Sequence, residues 1–205
     1  IIMCALKGLV PETNLLFGEH MQKHYNVSID NFLVIGGPCH AEEVALEKLS
    51  YLTIGSSNLS LCKLISAKFK CKYINVKASD DVIGIEYASM LKNIFALAVG
   101  ISNGLGYGDN YQSVLVSNSI KEMKRFISKR HKIKRNINNS AYLGDLLVTG
   151  YSSFSRNRMF GNMIGKGYTL RAAQLEMKMV AEGCIATKKA SLLNQESNKK
   201  AKTPI

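Results

Sequence analysis

Apolar positions divide the chain into two stretches with different periods. In residues 1–78 short apolar runs at 1–5, 32–35, 51–55 and 73–76 have the length and β-branched or aromatic content of buried strands. Segments 13–25, 41–49 and 59–69 fit helices between them, and Lys7-Gly8, Pro11-Glu12 and Gly36-Gly37-Pro38 supply turns. Strand and helix in alternation is the signature of an α/β sheet. After Asp80 the period becomes helical, and no convincing strand follows. Helices are predicted at 81–101, 111–130, 143–149, 155–164, 169–177 and 180–193. The expected boundary lies near Ser79, giving an α/β part at 1–78 and an all-α part at 79–205.

The helix opening the second part organises the rest. Ile83, Tyr87, Met90, Leu91, Ile94, Leu97, Ala98 and Ile101 recur at spacings of three and four, which marks a core helix. Lys92 sits among them. A buried ammonium loses hydration unless something compensates it, and is tolerated where an acid, base or phosphate contact is needed. Alternatively, Lys92 snorkels from the helix edge with its head in water.

Composition narrows the classes. With 205 residues and 46% apolar content the chain can bury a sizeable core, as one domain or two small ones. No stretch reads as long and apolar enough to span a bilayer, because the run 94–101 is closed by Asn103 and glycines. The opening residues lack the basic and apolar regions of a signal peptide. Five scattered cysteines without a CxxC pair argue for reduced thiols in a cytoplasmic protein and against a metal site. Net charge is +12, with eight Lys or Arg against one Glu in 121–135. Such density could bind nucleic acid, but no stacking aromatics are interleaved, so a solvated helix face is the plainer reading. The same potential would attract an anionic, phosphate-bearing metabolite.

Several motifs carry candidate chemistry. Residues 104–110, GLGYGDN, follow a helix rather than a strand, which excludes the dinucleotide fingerprint and suggests an interhelical turn with Asp109 capping the next helix. In 152–158, SSFSRNR, Ser153 or Ser155 can cap a helix whose first turn bears Arg156, Asn157 and Arg158. Free N–H groups, a positive dipole end and a guanidinium make a phosphate or carboxylate site; the alternative is a capped surface helix with arginines in water. Asp145 and Thr149 stand four apart and share a helix face, or Asp145 simply begins a helix. Glu182-Gly183 offers a ligand or interrupts a helix. Gly36-Gly37-Pro38 brings backbone to a ligand at a strand end or only turns the chain.

In order, Lys7-Gly8, GGPCHAEE, DDVIG with LKN, GISNGLGYGDN, LGDLLVTG, SRNRMFG and VAEG resemble the bacterial-type NAD(P)-dependent glycerol-3-phosphate dehydrogenases over nearly the whole chain. The resemblance implies a partial Rossmann-type sheet followed by a helical domain, with the active site between the two domains, and NAD or NADP as cofactor. The implied reaction interconverts sn-glycerol 3-phosphate and dihydroxyacetone phosphate, supplying phospholipid synthesis. It casts Lys92 as general acid/base and Lys7 as a second active-site lysine near substrate and cofactor. Asn93, Asp145, Thr149, Ser155, Arg156 and Asn157 are the implied substrate contacts, with Gly37 and Cys39 beside them. Lys7, Ala41, Arg156, Val180 and Glu182 correspond to cofactor-lining positions. No metal is expected, and a homodimer is compatible with the resemblance.

Cys39-His40 replaces the family's usual Ser-Phe, and a thiol is the weaker hydrogen-bond partner. Asn103 stands where Asp is common. The family's first strand, its GxGxxG turn and its ribose-reading acid would precede residue 1, and KTPI resembles a segment that normally continues into further helices. The chain therefore reads as an internal fragment, expected to be inactive alone. Two rivals are a hydroxy-acid or sugar-acid dehydrogenase, which a substrate panel separates, and a basic nucleic-acid-binding helical module, which salt-sensitive binding would reveal.

Overall fold

The structure, a computed structural model, describes residues 1–177 and 182–195. It divides into two compact units, Ile1–Ser89 with Asn138–Asp145, and Met90–Ile137 with Leu146–Ile205. This division falls elsewhere than Ser79, because the first helical turns after Asp80 and the returning segment 138–145 pack with the strands.

The first unit holds a four-stranded sheet, β1 (Ile2–Cys4), β2 (Phe32–Gly36), β3 (Ser50–Gly55) and β4 (Ile74–Ser79), in that spatial order. β1 and β2 run parallel, as do β3 and β4, but β2 and β3 are antiparallel, with Val34 opposite Gly55. The helices are α1 (Phe17–Tyr25), α2 (Ala41–Ala45) and α3 (Leu59–Phe69). A parallel β2–β3 pair would need a crossover that covers one sheet face. α2 has only five residues and buries none of them, so the chain turns back instead. α1 begins at Phe17 rather than near residue 13, because Asn14 adopts a left-handed conformation (φ 55°) within the preceding turn.

Alternating side chains line the two sheet faces. Leu33 and Ile54 form one core cluster with Cys62 of α3, joined by Met3, Ile35, Leu61, Ile65, Val76 and Ala78. On the opposite face, glycines let the following helix approach. A Cβ on Gly36 would lie 2.7 Å from Ile85 Cγ2, and one on Gly55 2.8 Å from Ile85 Cδ1.

The expected α/β-plus-all-α class holds, and among the described residues no strand follows β4. α4 (Val82–Gly104) begins in the first unit and continues into the second. After it come α5 (Asp109–Arg130), a π-helical turn (Ser140–Gly144), α6 (Asp145–Tyr151), α7 (Arg156–Gly165), α8 (Leu170–Glu176) and α9 (Glu182–Gln195). The bilayer expectation needs correction. α4 is long and apolar enough to cross a membrane, with mean hydropathy 1.5, because its apolar stretch extends back to Val82. It is nonetheless a core helix, with 83% of that window buried inside the protein.

Within the second unit, α4 and α7 meet through two glycine pairs of identical spacing. A Cβ on Gly100 would lie 2.1 Å from the Arg158 carbonyl oxygen, and one on Gly104 2.3 Å from that of Asn162. Reciprocally, a Cβ on Gly161 would lie 2.1 Å from the Leu97 oxygen and one on Gly165 2.3 Å from that of Ile101. Backbone thus packs on backbone, and Asn162 Nδ2 donates to Asn103 Oδ1 beside the crossing. This contact fixes how far the N-terminus of α7 can lie from α4.

Candidate active site

In the second unit the polar residues of α4 are held by the starts of α7 and α9. Lys92 and Asn93 are only 7% and 5% exposed, so both side chains lie largely out of water. Asn93 Nδ2 donates to Glu182 Oε2 at 3.0 Å, and the next amide, Gly183 N, donates to Asn157 Oδ1 at 2.8 Å. Gly183 is the residue that fits there, since a Cβ would lie 2.6 Å from the Asn93 carbonyl oxygen. Asn93, Asn157 and Glu182, far apart in sequence, are thereby joined in one network. Glu182 begins α9.

Ser155 caps α7, its Oγ accepting the Arg158 amide at 3.3 Å, and Arg156, Asn157 and Arg158 occupy the first turn. Of the two serines considered for this cap, Ser155 takes it. Ser155 and Asn157 are buried and Arg156 is half-buried. Nothing acidic stands in this first turn, so the dipole end and the guanidinium are left to favour an anion. Thr149 is buried on α6, one turn after Asp145. The glycine-rich segment is a turn, as expected, with Gly106 at φ 82°. Its cap is Gly108 rather than Asp109, which becomes the first residue of α5.

In the first unit, Asp145 is 1% exposed and its Oδ2 accepts the Gly37 amide at 3.3 Å. Gly37 has φ 107°, and a Cβ there would lie 2.6 Å from the Tyr51 carbonyl oxygen. The Gly36-Gly37-Pro38 turn therefore both reverses the chain and presents an N–H to a carboxylate of this same chain. Segment 138–145 is pinned there by Thr53 Oγ1 with Ser140 Oγ at 3.4 Å and by Tyr142 OH donating to Asp81. Its π-helical turn interrupts regular hydrogen bonding just before Asp145, a distortion common near functional groups. Cys39 is half-buried in the turn, and Ala41 is exposed at the start of α2.

Lys7, half-buried, and Gly8 follow the carboxyl end of β1. Gly8 has φ 113° with open space where a Cβ would stand. Open backbone beside a cation at a strand's carboxyl end suits a dinucleotide, the class of ligand such sheets bind there. Val180 lies outside the described residues. No group of three or more metal-ligating side chains occurs among the described residues, and all five cysteines are free thiols.

Sequence reasoning named Asn93 and Glu182 but not their bond, and missed the glycine pairs entirely. The signal for the latter was present, since Gly100/Gly104 and Gly161/Gly165 each repeat at a spacing of four.

Comparison with known proteins identifies the family. Residues 81–205 match the family model of the NAD-dependent glycerol-3-phosphate dehydrogenase C-terminus, and residues 1–62 match that of the N-terminus. A glycerol-3-phosphate dehydrogenase (NAD(P)+) of Bacillus velezensis is 37% identical over 93% of this chain and 55% of its own length. One from Listeria monocytogenes is 39% identical over 93% and 56%. The crystal structure of the glycerol-3-phosphate dehydrogenase from Coxiella burnetii superposes with a TM-score of 0.89 at 31% identity, over 95% of this chain and 59% of that one. The chain thus spans a little over half the length of these relatives. With both family models matched in chain order, the chain belongs to the NAD-dependent glycerol-3-phosphate dehydrogenase family.

Proposed function

We propose that the protein carrying this chain interconverts sn-glycerol 3-phosphate and dihydroxyacetone phosphate, with NAD or NADP as hydride carrier and Lys92 as general acid/base. The observation that carries the reading is the Asn93–Glu182 and Gly183–Asn157 network, which ties an anion-binding helix end to the lysine-bearing helix. A phosphate at the start of α7 meets the positive dipole end and the Arg156 guanidinium. The triose then extends toward α4, where Asn93 and Thr149 offer an amide and a hydroxyl. Asp145 is the carboxylate assigned to the triose hydroxyls or to orienting Lys92.

Lys92 takes the proton from the C2 hydroxyl as the C2–H bond breaks, leaving a ketone; in reduction its ammonium returns that proton to the C2 oxygen. The nicotinamide, when bound, accepts or supplies the C2 hydride. Lys7, Ala41, Arg156, Val180 and Glu182 are the residues of this chain assigned to hold it. Gly37 and Cys39 are assigned to the substrate side, where the Cys39 thiol replaces a hydroxyl. The product would feed phospholipid synthesis. Free thiols support a cytoplasmic setting, and a homodimer, which sedimentation velocity tests, is compatible with the resemblance.

Arg156→Ala tests the anion site. In the full-length protein it is expected to raise the KM for dihydroxyacetone phosphate about a hundredfold, the worth of a charge-assisted bidentate contact, with a smaller effect on unphosphorylated dihydroxyacetone. Equal losses on both substrates would remove Arg156 from the phosphate site.

A further inference from the structure

Glu86, on α4 in the first unit, has no part in the reaction described above, yet it is a carboxylate only 5% exposed. Its Oε1 accepts the Gly18 amide in the first turn of α1 at 3.2 Å. Gly18 permits the approach, since a Cβ there would lie 2.9 Å from the Phe32 ring and 3.1 Å from Glu86 Oε2. A second carboxylate, Glu19, accepts the Leu16 amide at the same helix start. Cys4, at the end of β1, is a further titratable group near Glu86, and Lys7 follows it in the chain. The Cys4 thiol is pushed up chiefly by burial, then lowered by a backbone bond at Leu6, raised by Glu86 and lowered by Lys7. Glu86 and Lys7 thus both act on one side chain, and residues 5–16 between β1 and α1 carry Lys7.

We propose that Glu86 is a positioning residue for Lys7, its carboxylate anchoring the first turn of α1 and thereby fixing the connection on which Lys7 is displayed. The inference rests on Lys7 being an active-site lysine, as in the proposed function. Burial foremost, and then the Glu19 charge, push the Glu86 carboxyl up to about 7 against the opposing Gly18 bond. Above that pH the carboxylate holds the Gly18 amide strongly; below it the neutral acid holds it weakly. Ionisation also opposes folding. Because the folded-state pKa lies above the unfolded one, stability declines as pH rises from about 4.5 through about 7, so Glu86 is kept at a stability cost.

The test compares wild type with Glu86→Gln in the full-length protein between pH 5.5 and 8.5, with Glu86→Asp as a second variant that keeps the charge. The ratio of wild-type to Glu86→Gln kcat/KM for dihydroxyacetone phosphate is expected to be about tenfold at the upper end and within about twofold at the lower. Glu86→Asp should retain the inflection. A ratio independent of pH overturns the proposal. Acylation of Lys7, followed by mass spectrometry, needs no activity. Its rate in wild type relative to Glu86→Gln should change with an inflection near 7, and a flat ratio again overturns it. If wild type reduces no dihydroxyacetone phosphate at any pH, the reaction assignment fails, while Lys7 acylation still decides the role of Glu86.

Discussion

Replacing Lys92 by alanine in the full-length protein is expected to lower turnover by about three orders of magnitude, the upper range for removal of a general acid/base. The substrate KM should move far less, because the phosphate site proposed above lies at the start of α7 and does not involve Lys92. Lys92 lies 7% exposed within α4, so truncation leaves a small cavity as well as removing the ammonium. Lys92→Met fills most of that space and should be as inactive as the alanine variant while folding like wild type by circular dichroism. Matched folding with lost turnover assigns the defect to chemistry. Turnover near wild type in either variant would return Lys92 to a structural role.

Gly161→Ala, like Gly100→Ala, should be among the most damaging single methyl groups in the second unit. Its Cβ would lie 2.1 Å from the Leu97 carbonyl oxygen, with further backbone within 3.0 Å, so neither helix can yield by rotating a side chain. Separating α7 from α4 is expected to cost about 3–5 kcal/mol, beyond ordinary overpacking because the obstacle is main chain. Equilibrium urea unfolding measures it. Gly150→Ala is the control. A Cβ there would meet Val99 at an ordinary 3.8 Å, and Ala is the better helix former, so stability should be unchanged or raised by up to about 1 kcal/mol. Displacing α7 also pulls Asn157 from Gly183, so any folded Gly161→Ala protein should bind phosphate substrate weakly. A loss under 1 kcal/mol would show the crossing to be looser than the backbone contacts imply.

What was legible in the sequence was what local chemistry dictates. The period of α4 is set by eight apolar residues, of which Tyr87, Met90, Leu91 and Ile94 are buried and the other four half-buried, and the start of α7 by one serine three residues before the amide it accepts. α3 emerged with the expected limits, Leu59–Phe69, because Asn58 caps it through the Leu61 amide. What stayed hidden depends on partners distant in sequence. The antiparallel β2–β3 pair follows from α2 being too short to cover a sheet face, which composition does not reveal. Asn93 and Glu182 are 89 residues apart, and Gly37 and Asp145 are 108 apart. Nothing in either local sequence announces such bonds. Nor does the local sequence single out Glu86; only the close approach of Gly18 shows why a carboxylate is held there.

Reduction by the full-length protein of dihydroxyacetone phosphate, set beside unphosphorylated dihydroxyacetone and a panel of keto acids with NADH and NADPH, is the decisive measurement. The phosphate ester is expected to be preferred by at least about a thousandfold in kcat/KM, as a helix N-terminus and a guanidinium built for an anion require. Preference for a substrate without phosphate would contradict the assignment of α7 and, with it, the proposed reaction.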